Sequence, residues 1–84
     1  MKAKHLKTLQ TIFHTPTSAN LSFSAMESLV TALGGEVIER EGSRVIFSIA
    51  GGIWHAHRPH PGNEAKKYQI EEFREFLRQK GFAP

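Results

Sequence analysis

The stretch from Val37 to Arg58 constrains the fold most, because it holds three short runs of β-branched and apolar residues separated by glycine turns. Val37-Ile38 opens the first run, which continues into Glu39-Arg40-Glu41. Gly42-Ser43 then turns the chain back into Arg44-Val45-Ile46-Phe47-Ser48-Ile49. Gly51-Gly52, a pair able to adopt the positive φ of a two-residue loop, leads into Ile53-Trp54-His55-Ala56-His57-Arg58. These runs predict three antiparallel strands joined by tight turns. With Gly51-Gly52 as the loop, Ala50 faces Ile53 and Val45 faces Arg58, which sorts the side chains onto two faces. One face collects Val45, Phe47, Ile49, Trp54 and Ala56, an apolar surface with Arg58 at its end. The other collects Arg44, Ile46, Ser48, His55 and His57, and a one-residue slip would destroy the grouping.

Helical patterns flank this region. Leu6, Leu9 and Phe13 recur at helical spacing over residues 2–13, with Lys2, Lys4 and Lys7 elsewhere, and the pattern stops before Pro16. Thr15-Pro16-Thr17-Ser18-Ala19-Asn20 reads as a turn or short linker. Residues 1–20 are therefore expected to form a helical extension, and residues 21–84 the main domain. Ser24 and Glu27 have capping-box spacing ahead of Met26, Leu29, Val30 and Leu33, and Gly34 or Gly35 supplies the stop. After Pro59 and Pro61 a last helix is predicted from about Glu64 to Lys80, with Tyr68 or Ile70, Phe73, Phe76 and Leu77 inward, ending at Gly81. The expected fold class is α+β, in the order α-α-β-β-β-α, with one three-stranded antiparallel sheet and helices on one of its faces.

A chain of 84 residues closes one domain at most, near the lower size for independent folding. Hydrophobic residues at 39% and charged residues at 23% place it with folded globular domains rather than disordered chains. Without cysteine, neither disulfides nor thiolate-bound zinc can hold it, and a reducing cytoplasm is the natural setting. No signal peptide and no apolar run long enough to cross a bilayer is present, so no membrane association is expected. The net charge of +3 disfavours a basic partner. Residues 1–20 carry +3, residues 21–50 carry −2, and residues 51–84 carry +2 with three further histidines, a distribution suited to phosphate.

His55-x-His57-x-x-His60 invites a metal reading, since imidazoles two apart on a strand share a side. The string has no acidic residue beside it, and neither a metal nor another cofactor is expected. The same groups suit acid–base chemistry on RNA, in which a base takes the 2′-OH proton, that oxygen attacks the adjacent phosphate, and a cation stabilises the added charge. Histidine exchanges protons near neutral pH. Arg44 and Arg58 can each present a fork of donors to phosphate oxygens. Lys66 and Lys67, beside the start of the last helix, would add phosphate attraction there. The plain alternative is that these groups are solubilising surface charge.

Gly42-Ser43-Arg44 in a hairpin, Pro59-His60-Pro61 after the second hairpin, and Phe76-Leu77-Arg78-Gln79-Lys80-Gly81 at the end of a basic helix together resemble the HicA toxin family over about residues 24–81. The resemblance implies a fold similar to a double-stranded-RNA-binding domain, cleavage of messenger RNA without the ribosome, and a HicB-type antitoxin that covers the active surface. The family's catalytic histidine follows the Gly-Ser pair, where this chain has Arg44. Arginine stays protonated at physiological pH and cannot act as a base. Two accounts follow: His57 or His60 performs the proton transfer with Arg44 as phosphate clamp, or the chain binds RNA and antitoxin without cutting. The candidate catalytic residues are thus His57, His60 and Arg44, and the candidate RNA contacts are Ser43, Arg44, His55, Arg58, Lys66 and Lys67. A structural protein whose exposed sheet pairs with another subunit is the reading from a different class.

Overall fold

Val45, Phe47 and Ile49 alternate with Arg44, Ile46 and Ser48, and this period of two builds the central strand of the sheet. A computed structural model describes all 84 residues as α1 (Ala3–Phe13), α2 (Phe23–Ala32), β1 (Glu36–Glu39), β2 (Arg44–Ile49), β3 (Gly52–His57) and α3 (Lys67–Gln79). β2 lies between β1 and β3, and both pairings are antiparallel. The fold is α+β in the order α-α-β-β-β-α.

One face of the sheet is the core. Val45, Phe47, Ile49 and Ala56 join Phe23, Met26, Leu29 and Val30 of α2 and Ile70, Phe73, Phe76 and Leu77 of α3 in a single buried cluster. Phe47 sits at its centre, with ring centroids 5.6 Å from Phe23, 5.3 Å from Trp54 and 5.4 Å from Phe73. Truncating such a buried phenyl ring to alanine costs about 3–5 kcal/mol. Leu9 and Ile12 of α1 belong to the same cluster. α1 lies on α2 and α3 rather than on the sheet. Its inward residues are Leu9 and Ile12, with Phe13 partly buried, while the predicted inward Leu6 is exposed.

The hairpin between β2 and β3 turns at Ala50-Gly51, not at Gly51-Gly52. Both loop residues have positive φ, 49° and 81°, as a type I′ turn requires. Val45 consequently faces Ala56 instead of Arg58, and Arg44 faces His57. Moving a two-residue loop by one position shifts every cross-strand partner by two, so each side chain keeps its face. Two contacts favour this register. Phe47 and Trp54 become directly opposed, and Trp54 also reaches Phe73, at 5.3 Å between ring centroids. Gly52 meanwhile lies under α3, where a Cβ would stand 2.3 Å from Lys80 Cε and 3.3 Å from Phe76 Cε1. Its lack of a side chain serves packing rather than the turn.

Both later helices begin where a backbone tether allows. Phe23 N–H donates to Asn63 O (2.7 Å) and Ala65 N–H to Leu21 O (2.8 Å), pairing the segments around Ser22 and Glu64. Ser22, held extended by that pairing, caps α2 by accepting from Ala25 N–H at 3.1 Å, in place of the expected Ser24. Glu64 is extended for the same reason, and α3 starts at Lys67. Ile70 is its inward residue and Tyr68 faces outward. β1 ends at Glu39, short of the predicted Glu41. No helix is long and apolar enough to cross a membrane.

Candidate RNA-facing surface of the sheet

The face of the sheet opposite the helices carries Glu36 and Ile38 from β1, Arg44, Ile46 and Ser48 from β2, and Ile53, His55 and His57 from β3. The pairing sets Arg44 directly across from His57, Ile46 across from His55, and Ser48 across from Ile53. Opposed residues hold their Cβ atoms about 4.5–5.5 Å apart, so the Arg44 guanidinium and the His57 imidazole share one patch. His55, two residues along β3, projects from the same side. Arg44, His55 and His57 are all exposed.

The Arg44 guanidinium has one long contact within the chain, from Nε to Glu41 O at 3.5 Å, which is too weak to hold it. His57 is placed from below. The buried Gln69 donates from Nε2 to His57 O at 2.8 Å and accepts at Oε1 from Lys66 N–H at 3.0 Å. A single amide thereby joins the end of β3 to the start of α3, where Lys66 and Lys67 are exposed. Sequence reading missed Gln69. Its signal was a glutamine three residues after the helix cap, the second half of a capping box.

Arg58 does not join this patch. It leaves β3 toward the helices, where its guanidinium binds Glu27 of α2 at 2.5 Å and Glu39 of β1 at 2.9 Å. The hydrogen bond it donates to Glu27, then that to Glu39, raises its pKa above the ordinary arginine value against the opposing effect of burial. Arg58 therefore fastens α2 to the sheet, with both donor pairs engaged by carboxylates of its own chain. Its backbone N–H also donates to Ser43 O at 2.7 Å, closing the sheet end beside Arg44. Ser43 remains exposed in the turn before Arg44.

His60 is exposed in the loop between β3 and α3, beyond the strand pairing that aligns Arg44 with His57. No group of three or more His, Cys, Asp or Glu side chains is placed to hold a metal ion. A forked cation and two imidazoles in one solvent-facing patch can contact phosphate oxygens and move a proton. No protein-family model, curated protein or solved structure matches this chain.

Proposed function

We propose that this chain is a HicA-like toxin with a fold related to double-stranded-RNA-binding domains, which binds messenger RNA and cleaves it in the cytoplasm. The observation that supports this most is the direct opposition of Arg44 and His57 on the open face of the sheet. His57 takes the 2′-OH proton, the 2′ oxygen attacks phosphorus, and the bond from phosphorus to the 5′ oxygen breaks. The products are a 2′,3′-cyclic phosphate and a 5′-hydroxyl end. His55, on the same face, gives the leaving 5′ oxygen its proton. Arg44 meets the charge that builds on the equatorial oxygens. Lys66 and Lys67 attract the flanking phosphates, and a HicB-type antitoxin would silence the protein by covering this face.

A second reading is a silent RNA-binding or antitoxin-binding module of the same family. It is favoured by the absence of any hydrogen bond to the imidazole of His55 or of His57, the Gln69 amide reaching only the backbone carbonyl of His57, so that nothing within the chain orients either ring. Labelled RNA incubated with purified protein separates the two. Cleavage that falls by about 10²–10⁴-fold in His57→Ala with the gel shift retained supports the enzyme. A shift without cutting by the native chain supports the silent binder, and neither shift nor cutting removes RNA from both readings. Antitoxin capture is tested by co-expression with the product of the adjacent open reading frame.

A further inference from the structure

α1 is the most uniformly basic element of the protein and plays no part in the open face of the sheet. Residues 1–20 contain Lys2, Lys4 and Lys7, with His5 and His14, and no acidic residue. All three lysines are exposed, and none forms an ion pair. Glu71, bound by Thr17 at 2.9 Å, is the one carboxylate hydrogen-bonded to this segment.

Two grooves run along the helix. One, of about 320 Å³, is lined by Lys7, Gln10, Thr11, His14 and Ser18, without a single apolar side chain. The other, of about 250 Å³, lies between α1 and α2 and is lined by Lys4, His5, Thr8, Ala25 and Ser28. Each groove holds one lysine and one histidine among neutral side chains, and the Thr8 and Thr11 hydroxyls donate to the carbonyls of Lys4 and Lys7. Arg74 holds the segment in place, with Nε donating to Ile12 O at 2.7 Å and Nη2 to His14 O at 3.2 Å and Thr17 Oγ1 at 3.0 Å.

We propose that α1 and its two grooves form a second phosphate-binding surface, which takes the sugar-phosphate backbone of an RNA strand whose reacting segment lies on the sheet. The inference rests on the RNA-binding reading above and extends its footprint. The contacts are positional rather than sequence-reading, because lysine meets phosphate as a point charge. α1 sits on the helical layer and the Arg44–His57 patch on the far face of the sheet, in a molecule measuring 32 × 28 × 21 Å. A strand must pass around the edge of the molecule to reach both, so only an RNA longer than that path touches the two surfaces at once.

The test compares the full chain with its Lys2→Gln/Lys4→Gln/Lys7→Gln variant, which alters exposed side chains that have no partners. Fluorescence anisotropy with labelled RNA is followed from about 50 to about 200 mM salt. On an RNA of about twenty nucleotides the variant is expected to bind about tenfold more weakly, with a log–log salt slope smaller by about 2, at roughly 0.7 per single-strand phosphate released. On a dinucleotide, too short to pass around the molecule to both surfaces, the two proteins should bind alike. Unchanged affinity and slope on the long RNA, while Arg44→Ala weakens binding, would overturn the α1 surface and leave the sheet reading standing. An equal loss on long and short RNA would also overturn it, since that is the signature of a general field. A native chain that binds no RNA would remove both readings together.

Discussion

Gln69 reaches from the first turn of α3 to the backbone carbonyl of His57, 2.8 Å away, and so fastens the strand end that carries the candidate proton-transfer residue. The amide is almost wholly buried, at 3% exposure, and both of its ends are satisfied. Replacing it by the similarly sized Leu leaves the His57 carbonyl and the Lys66 N–H without partners. Gln69→Leu is expected to lose about 1–3 kcal/mol in urea unfolding with an unchanged m-value. Cleavage should fall further than RNA affinity, because the change loosens His57 and leaves Arg44 in place. Native stability in this variant would show that the bond holds nothing.

Arg44 should behave as a clamp rather than a base. Arg44→Ala is expected to weaken RNA binding by about 1.5–3 kcal/mol, the range for hydrogen bonds to a charged group. Arg44→Lys should restore part of the affinity and little of the rate, since an ammonium cannot match the planar fork. If Arg44→His cleaved faster than the native chain, the assignment of proton transfer to His57 would fail.

Arg74 caps the carbonyl end of α1 and the turn behind it through three hydrogen bonds. Arg74→Ala is expected to destabilise the protein by about 2–3 kcal/mol, several charge-assisted bonds being lost at a partly buried site. Amide hydrogen exchange over residues 3–13 should accelerate more than exchange in β2, because α1 alone loses its anchor. A uniform acceleration would mean that α1 does not open by itself.

Ala50 adopts a left-handed φ of 49°, which strains an alanine, whereas the short polar side chain of asparagine tolerates it. Asn-Gly is the preferred pair for a type I′ hairpin loop, so Ala50→Asn should stabilise the protein by about 0.5–1 kcal/mol. For a chain of this length that corresponds to a Tm increase of roughly 2–8 °C. RNA binding should be unaffected, as this turn lies at the opposite end of the β2–β3 hairpin from Arg44 and His57. A lower Tm would place the strain elsewhere.

The order of elements was legible because the signals are local. Alternation in Arg44–Ile49, the glycine turn at Gly42 and the helical periods of Phe23–Ala32 and Lys67–Gln79 each act within a few residues. The grouping of Arg44, His55 and His57 on one face was legible too, since the period of a strand fixes which side chains share a side. Partner choice for Arg58 was not. Its carboxylates, Glu27 and Glu39, lie 31 and 19 residues away, and nothing local announces them.

Periodicity and turn chemistry alone therefore determined which elements form and which face of each is apolar, because both depend on neighbours in the chain. Register, helix starts and the position of the turn were decided only in three dimensions. Phe47 opposes Trp54 beneath Phe73, the Phe76 ring crowds Gly52, and the segments around Ser22 and Glu64 pair where both helices begin. Each is a contact between residues distant in sequence, and close packing there outweighs the local preference of any one of them.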